Sequence, residues 1–458
     1  MSYLHNGIKN LWQWVPVTDS LLTDDWQRKL ADYQILLVGF SGGLDSTVLL
    51  HRVASEPALA SKLQAVHVHH GLSVNATDWQ MHCQKFCDSL NLPLIVRHVT
   101  VDREANIEEG ARIARYQAFS SLLEERSLLL LAHHCDDQAE TLLLQLLRGA
   151  GIDGLASMPA VKTCAQGEIA RPFLHHSRST LEAYAHKHQL TWVDDESNQN
   201  SAFSRNYLRH HIMPLLQAKW PGVVGNLVRS ASHCQQAKSN LEALAKMDCA
   251  ALAETRSTLE LSSPLRTLDH SRLANILRLW LQDNDVRLPS VHNLNRLMDE
   301  VILAGEDRTP LVQWGGVTVR RYQQTLYLLK DDVRPCVARM EWLSFPHPLP
   351  LTTDAGEQYL HAVADVQGLH VPVGSRVSVR FRQGGEQFYW RGQTKQLKKL
   401  WQQWRVPPWQ RGLIPLLYID NALAAVVGFA ISDHFFSERP LNTFRVELQS
   451  CAVSRIMD

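Results

Sequence analysis

Strand-like and helix-like patterns alternate over the first 150 residues of this 458-residue chain. The predicted strands are short apolar runs at 35–38, 64–68, 94–96 and 128–132. The predicted helices follow them in turn at 47–54, 78–90, 108–124 and 136–148. Such a βαβα alternation implies an α/β fold, with a parallel sheet covered by helices on both faces. Ligands of these sheets bind at the carboxyl ends of the strands.

Two other patterns occupy the remainder of the chain. Apolar residues recur at helical spacing through 226–252 and 271–281, which predicts a small helical domain with few strands. Short alternating runs such as 377–381, with one helix near 396–404, predict a compact α+β domain. The three expected domains are a nucleotide-binding domain at 1–215, a helical middle domain at 216–330 and a small C-terminal α+β domain at 331–458.

The turn after the first strand reads SGGLDS. Its residues, which we expect to bind phosphate, are Ser41, Gly42, Gly43, Leu44, Asp45 and Ser46. Glycines let a backbone turn tightly against a ligand, and the helix that follows presents unpaired N–H groups to an anion. The simpler alternative is a glycine-rich turn in which Asp45 or Ser46 caps the helix. The turn lacks the Gly-Lys-Ser/Thr of a Walker A loop.

Acidic side chains cluster after the fourth predicted strand. Asp136 and Asp137 stand four and three residues before Glu140, so on a helix all three lie on roughly one side. Like charges so close repel one another and favour a cation or a ligand amine between them. The alternative is that they are ordinary first-turn acids, which the helix dipole stabilises.

Histidines lie at the ends of two of the predicted strands. His133 and His134 precede the acidic cluster, and His67, His69 and His70 end the second predicted strand. No partner ligands at zinc-like spacing are evident, so we do not expect a stable zinc site. These histidines are instead expected to line the nucleotide pocket or to pack locally.

The SGGLDS turn resembles the SGGxDS signature of the PP-loop family of ATP pyrophosphatases. An ordered series of further segments resembles the long form of the tRNA(Ile)-lysidine synthetase family over nearly the whole chain. Those segments are HVHHGL at 67–72, AHHCDDQAETLLLQLLRGAG at 132–151, RPF at 171–173, WVDDESN at 192–198, SRNYLR at 204–209, Lys398 with Lys399, and VPPW at 406–409. Ile107, Glu108, Ala111, Arg112, Arg115 and Tyr116 belong to the same series.

The resemblance implies a reaction and its participants. Members of this family adenylate the C2 oxygen of the wobble cytidine of an isoleucine tRNA with a CAU anticodon, and the amine of free L-lysine then displaces AMP. ATP and Mg²⁺ are therefore the expected cofactors, with Asp45 beside the phosphates as a magnesium ligand. The tRNA and lysine are the expected partners. The sequence also leaves a homodimer open.

The resemblance also suggests roles for individual residues. Asp45, Asp136, Asp137 and Glu140 are the expected catalytic residues. His67 and Arg112 are expected to join the SGGLDS turn in binding ATP. Arg115, Arg205 and Arg209 are expected to contact tRNA, although surface arginines on helices are an equally simple interpretation.

A basic segment lies near the C-terminal end, although the formal charge of the whole chain is zero. Between 376 and 411 the only acidic residue is Glu386, and the nine basic residues are Arg376, Arg380, Arg382, Arg391, Lys395, Lys398, Lys399, Arg405 and Arg411. The interleaved aromatics are Phe381, Phe388, Tyr389, Trp390, Trp401, Trp404 and Trp409. Cations neutralise RNA phosphates and aromatic rings stack on unpaired bases, so tRNA contact is expected at Arg391, Lys395, Lys398 and Lys399. The alternative is a solvated face over an aromatic core.

Other classes of protein fit the sequence less well. A tRNA thiolase typically uses a CxxC pair, whereas the eight cysteines are scattered without one. GMP synthetase and asparagine synthetase carry additional domains for which we see no pattern. A module that only senses ATP or binds tRNA has no need of three clustered carboxylates. Scattered thiols, with neither a secretory signal nor a long apolar run, predict a cytoplasmic protein without a membrane span.

Overall fold

The computed structural model describes residues 21–73, 75–100, 107–194, 196, 203–253, 257–304, 310–330, 339–353, 356–439 and 441–450. The chain divides into two compact units, at 1–243 and 244–458. The domain boundaries expected from the sequence remain predictions.

The first unit is built on a six-stranded sheet in the order β3-β2-β1-β4-β6-β5. Its strands are β1 Ile35–Gly39, β2 Leu63–His69, β3 Leu94–His98, β4 Ser127–Leu130, β5 Val161–Cys164 and β6 Gly167–Ala170. All neighbours pair in parallel except the edge strand β5, which runs antiparallel to β6. The parallel sheet predicted from the alternating pattern is confirmed.

Helices precede, alternate with and follow these strands. They are α1 Asp24–Ala31, α2 Leu44–Ala54, α3 Pro57–Ala60, α4 Ala76–Ser89, α5 Ile107–Ser120, α6 Cys135–Leu147, α7 Ile152–Leu155, α8 Arg178–Lys187, α9 Ser204–Tyr207, α10 Met213–Lys219 and α11 Val223–Asp248, with a π-helical turn at Leu208–Ile212. Successive residues of β1 face opposite sides, because Leu36 and Val38 pack in one core cluster while Leu37 packs in another with Phe119. This burial on both faces explains the continuous apolar runs in the sequence.

The second unit begins with helices and then forms an antiparallel sheet. The helices are α12 Ser263–Arg266, α13 His270–Asp283 and α14 Val291–Arg296, with a 3₁₀ turn at Ala250–Ala253 and a π-helical turn at Leu297–Ile302. The strands, in the order β7-β10-β9-β8, are β7 Thr258–Glu260, β8 Leu311–Trp314, β9 Val317–Tyr322 and β10 Thr325–Lys330.

This sheet corrects the expectation of few strands at 216–330. The predicted helices are present, but β8, β9 and β10 follow them and share their core. Two-residue turns join these strands, and the first consists of Gly315 and Gly316, both with positive φ. A Gly-Gly pair between short alternating runs is a hairpin signal, and helical periodicity in the preceding residues obscured it.

The C-terminal part is rich in strands and contains one helix, α15 Leu397–Gln403. Its strands are β11 Arg339–Glu341, β12 Leu349–Thr353, β13 Gly356–His370, β14 Val377–Arg380, β15 Gln387–Trp390, β16 Gln393–Gln396, β17 Leu416–Ile419, β18 Ala422–Val426, β19 Ala430–Ile431, β20 Phe436–Ser437 and β21 Thr443–Ser450. They form a five-stranded sheet, a sheet centred on β13, and the β15–β16 hairpin. The predicted α+β character is confirmed. No helix within the described ranges is long and apolar enough to cross a membrane.

Candidate active site

The SGGLDS turn lies between β1 and α2, at the carboxyl edge of the parallel sheet. Gly42 has φ +83°, and a Cβ built there would lie 2.9 Å from the Cys83 Sγ. Both the backbone conformation and the close approach therefore require glycine. Gly43 is the N-cap of α2, which explains why the helix begins three residues before the predicted position. Leu44 and Ser46 are buried, whereas Asp45 is partly exposed.

The serines of the turn hold its shape. The Ser46 hydroxyl donates to the Gly43 carbonyl over 3.0 Å and accepts from the Ser41 amide over 3.3 Å. The Ser41 hydroxyl accepts from the Gly43 amide over 3.3 Å. These contacts keep the turn folded before any ligand is bound. Backbone N–H groups at the start of α2 then form the surface that favours an anion.

His134 is the centre of the polar cluster. The side chain is only 1 % exposed, and its Nε2 lies 3.6 Å from Asp45 Oδ2 and 3.4 Å from Asp137 Oδ2. Its Nδ1 lies 3.4 Å from Asp136 Oδ2. Burial lowers the pKa of His134, but contacts with Asp136 and Asp45 and the charge of Asp137 outweigh it and raise the pKa to about 10. The imidazole is therefore a cation at neutral pH, and it joins the SGGLDS turn to the acidic cluster.

The predicted acidic cluster divides into two parts. Asp136 contacts His134 and accepts a hydrogen bond from the Arg178 amide over 2.9 Å. Burial raises the pKa of Asp136, but these contacts outweigh it and hold the pKa at about 2. Asp137 also contacts His134, and together with Glu140 it is bound by arginines of the helical segment that begins at Ser204.

Two arginines bind Asp137 and Glu140. The Arg205 guanidinium donates to Asp137 Oδ1 and Glu140 Oε2, both over 2.9 Å. The Arg209 guanidinium donates to Glu140 Oε1 over 2.7 Å and to Asp137 Oδ1 over 3.0 Å. The Glu140 side chain is 3 % exposed, and each arginine side chain is 24 % exposed. The cation expected between the carboxylates is therefore supplied by the chain itself. Roles for Arg205 and Arg209 in tRNA binding remain predictions.

The other expected ATP and tRNA residues occupy different positions. His67 is buried under the SGGLDS turn, with its Nδ1 3.0 Å from the Phe40 carbonyl oxygen. Burial lowers the pKa of His67, so its ring is neutral at pH 7. Arg112 is exposed on α5 over the ring of Tyr116, at 5.3 Å, and Arg115 is partly buried on the same helix. Neither arginine forms a salt bridge among the described residues.

Sequence reasoning missed the roles of His134 and Arg171. Arg171 is 5 % exposed at the end of β6. Its guanidinium donates to the Pro159 carbonyl over 2.9 Å and to His133 Nδ1 over 3.3 Å. Burial and the nearby arginines together lower the pKa of His133 to about 3. The one available signal was position, because Arg171 immediately follows β6 and His134 lies in the turn between β4 and α6.

Only some residues of the basic segment at 376–411, in the second unit, are exposed to solvent. Arg411 is buried and donates to the Val406 carbonyl, and Phe381, Phe388 and Trp401 belong to the core. The nine cations and seven interleaved aromatics therefore do not form one surface, because the packing of α15 and β15 buries Trp401 and Phe388 in a core cluster. Arg391, Lys398 and Lys399 are exposed, and Lys395 is partly exposed. Trp390 and Trp404 are partly exposed beside them.

Comparison with known proteins places this geometry in a family. Three family models match the chain: a PP-loop domain at 20–216, a TilS substrate binding domain at 262–327 and a TilS substrate C-terminal domain at 377–448. The tRNA(Ile)-lysidine synthase of Legionella pneumophila is 50 % identical over 94 % of this chain and 99 % of its own length. That of Coxiella burnetii is 39 % identical over 90 % and 92 %, and that of Serratia proteamaculans is 40 % identical over 91 % and 96 %.

The chain belongs to the tRNA(Ile)-lysidine synthase family. It is therefore an enzyme, a ligase of the lysidine modification of tRNA. Its PP-loop domain binds ATP. The segment matched as the PP-loop domain contains the SGGLDS turn, His134 and both arginines of the cluster. The C-terminal family model contains Arg391, Lys395, Lys398 and Lys399.

Proposed function

We propose that the chain joins lysine to C2 of the wobble cytidine of tRNA(Ile) with a CAU anticodon, through an adenylated tRNA. The products are lysidine, AMP and pyrophosphate. The observation that carries this proposal is the meeting of the SGGLDS turn with Asp136 and Asp137 through one cationic histidine, with Glu140 bound to the same two arginines as Asp137. One half of that cluster suits a nucleotide phosphate, and the other suits an amine.

The SGGLDS turn supports binding of the ATP phosphates. Its backbone N–H groups and the N-terminus of α2 favour negative charge, and the glycines allow close approach. His134 adds a buried positive charge near Asp45. Pyrophosphate leaves with several negative charges, so a fixed cation and oriented N–H groups stabilise the charge that develops.

Asp45 fits a magnesium ion. Its Oδ1 is buried and has no hydrogen-bond partner among the described residues. A buried carboxylate oxygen without a donor suits a hard cation, and Mg²⁺ usually takes one or two carboxylates and completes its shell with water and phosphate oxygens. Within the described ranges no group of three or more His, Cys, Asp or Glu side chains is arranged to hold a metal by itself. When bound, Mg²⁺ would neutralise phosphate charge.

Asp136, Asp137 and Glu140 support binding of lysine. The pKa of Asp137 is held well below its ordinary value, because burial, which would raise it, is outweighed by His134 and Arg205. Carboxylates that remain ionised so firmly are poor proton acceptors, so Asp136 and Asp137 hold an ammonium rather than deprotonate it. Lysine must then compete with Arg205 and Arg209, or share their carboxylates.

The RNA must bring an exposed cytosine to this edge of the sheet, as other base-modifying enzymes require. Arg112 and Arg115 lie on α5 beside the site and suit the phosphates of the approaching strand. The exposed cations near Lys398 suit another part of the tRNA. Cytoplasmic location and a homodimer remain predictions.

Incorporation of radiolabelled lysine into a tRNA(Ile) transcript tests the proposal. We expect incorporation that depends on ATP and releases pyrophosphate, with one lysine for each cytidine modified. A transcript with a UAU anticodon is the matched control, because it lacks only the wobble cytidine. Equal labelling of both transcripts, or labelling without ATP, would refute the proposed reaction.

A further inference from the structure

Arg391 occupies a backbone position that suits asparagine or glycine. The two-residue turn between β15 and β16 consists of Arg391 and Gly392, with φ values of +54° and +72°. Positive φ at both positions defines a type I′ turn, which favours Asn-Gly. An arginine there costs backbone stability. Its guanidinium carbon lies 4.5 Å from the ring centre of Trp390.

Arg405 occupies a second position of this kind. It follows α15 with φ +57°, the Arg405 amide donates to the Gln402 carbonyl, and the Val406 amide donates to the Trp401 carbonyl. This is a Schellman motif, in which glycine is the usual residue at the left-handed position. Two arginines thus stand where the backbone favours glycine or asparagine. Arg391 lies over Trp390, and Arg405 directly follows Trp404 in the chain.

That aromatic surface is continuous. Lys395 and Arg391 lie over Trp390, whose ring centre is 5.6 Å from that of Trp404. Trp404 stacks on Phe429 at 5.5 Å and 26°, and Phe429 is 43 % exposed. Phe429 also forms one wall of an open groove of about 580 Å³.

The groove combines apolar walls with amide groups. Leu413 and Ile414 line it, together with Gln358 and Gln410. Glu447 also lines it, but its carboxylate is bound by Arg445 over 2.9 Å. An aromatic wall that continues to Trp390 and its cations, together with amides inside the groove, forms the combination that receives an unpaired nucleobase and its phosphate.

We infer that the surface formed by Arg391, Trp404, Arg405 and Phe429 is a stacking site for an unpaired nucleotide of RNA. The inference deepens the proposed function, since it gives the C-terminal basic surface a base-binding role beyond phosphate contact. The positive charge of Arg391 and Lys395 over Trp390 favours RNA over an apolar peptide. Both arginines are exposed and form no salt bridge among the described residues, so they are available to an RNA phosphate.

Fluorescence of a ten-nucleotide single-stranded RNA containing 2-aminopurine tests the inference with the full-length protein. Without ATP or lysine, the wild type should quench the probe. Phe429→Leu should reduce affinity about ten-fold and abolish the quenching from this site, as expected for loss of one base–aromatic stack. Arg391→Asn and Arg405→Gly should each reduce affinity several-fold and flatten its salt dependence.

Thermal melting supplies the second readout. Arg391→Asn and Arg405→Gly should melt no lower than the wild type, because the new residues suit positive φ. Gln323→Asn is the matched control, since Gln323 also begins a two-residue hairpin turn with φ +54°. It should leave RNA binding unchanged.

Two results would overturn the inference. One is a lower melting temperature in Arg391→Asn and Arg405→Gly with unchanged RNA binding, which would make these arginines structural. The other is undiminished quenching in Phe429→Leu, which would place the stacked base elsewhere. Neither measurement depends on lysine transfer, so failure of the proposed reaction would leave this test intact.

Discussion

Arginines of the two units have opposite surroundings. In the first unit Arg205 and Arg209 are about three-quarters buried and satisfy Asp137 and Glu140 with short hydrogen bonds. In the second unit Arg391 is exposed over the ring of Trp390, and Arg405 is exposed directly after Trp404 in the chain. Neither forms an ion pair among the described residues. A cation paired in a buried network contributes to local structure and charge balance, whereas an unpaired surface cation remains available to an anionic partner.

The comparison predicts different consequences for mutation. Substitutions among Asp137, Glu140, Arg205 and Arg209 should affect folding stability and chemistry together. Removing one partner leaves the buried charge of the other unpaired. Changes on the C-terminal surface should affect RNA binding and its salt dependence with little loss of stability. The SGGLDS turn lies between these cases, since Asp45 is partly exposed and one of its oxygens is free for a ligand.

The largest effect is expected from Glu140→Gln. It should destabilise the protein by about 3 kcal/mol, because Arg205 and Arg209 lose a buried charged partner. Lysine transfer should be lost as well, and Asp137→Asn should behave in the same way. Urea denaturation and lysine incorporation at saturating tRNA measure the two consequences.

Glu182→Gln is the control for that prediction. Glu182 pairs with Arg178 on the surface at 3.3 Å, with the side chains 46 % and 42 % exposed. Such a pair contributes about 0.5 kcal/mol or less. Equal stabilities of Glu140→Gln and Glu182→Gln, with normal lysine transfer by Glu140→Gln, would contradict the prediction. The buried cluster would then contribute no more than an exposed ion pair.

The second prediction separates chemistry from folding. Asp45→Asn and Ser46→Ala should abolish tRNA-dependent pyrophosphate release, because one removes the free carboxylate and the other removes a hydroxyl that shapes the turn. The fold should persist in both. Ser55→Ala is the control, since its hydroxyl donates to the His51 carbonyl at the far end of α2, away from the turn. Release at the wild-type rate by both folded variants would remove the phosphate-site proposal.

A smaller effect is expected on the C-terminal surface. Lys398→Ala with Lys399→Ala should weaken tRNA binding. The plot of log affinity against log salt concentration should become less steep by the equivalent of about two phosphate contacts. ATP affinity without tRNA should remain unchanged, because these lysines lie outside the PP-loop domain. Filter-binding titrations over a salt series measure both quantities.

Lys330→Ala controls for the loss of a lysine charge in the same unit, where the Lys330 ammonium donates to the Asn284 carbonyl. An unchanged slope and affinity in the double variant would make the C-terminal lysines a solvated face. The tRNA would then have to be held by other cations, with Arg112 and Arg115 the first to examine.

The parallel sheet and its ligand-binding edge were accessible from the sequence because their signals are local. Strand, turn and helix succeed one another, and SGGLDS occupies the first turn. The pairing of Arg205 with Asp137 was not accessible, because 68 residues separate them and no local pattern joins them. For this reason the sequence indicated that a cation was needed but not which one.

The C-terminal surface shows a second limit. Counting charges gave Arg411 the same weight as Arg391, yet one is 7 % exposed and the other stands at the tip of a hairpin. Burial depends on how strands and α15 pack, which composition does not reveal. The aromatic residues divided in the same way, with Trp401 in the core and Trp404 at the edge of the surface.

The last prediction concerns the pH dependence of stability through His134. The folded state raises its pKa from 6.5 to about 10. The stabilisation from the protonated ring is therefore complete below about pH 6.5 and is lost as the pH rises through about 10. His134→Gln should melt lower than the wild type at pH 6, and the difference should shrink by pH 10. His186→Gln, at an exposed position on α8, should show no such convergence. A constant difference between wild type and His134→Gln over this range would mean that the ring is neutral in the folded protein, and the cationic link between Asp45 and the acidic cluster would have to be abandoned.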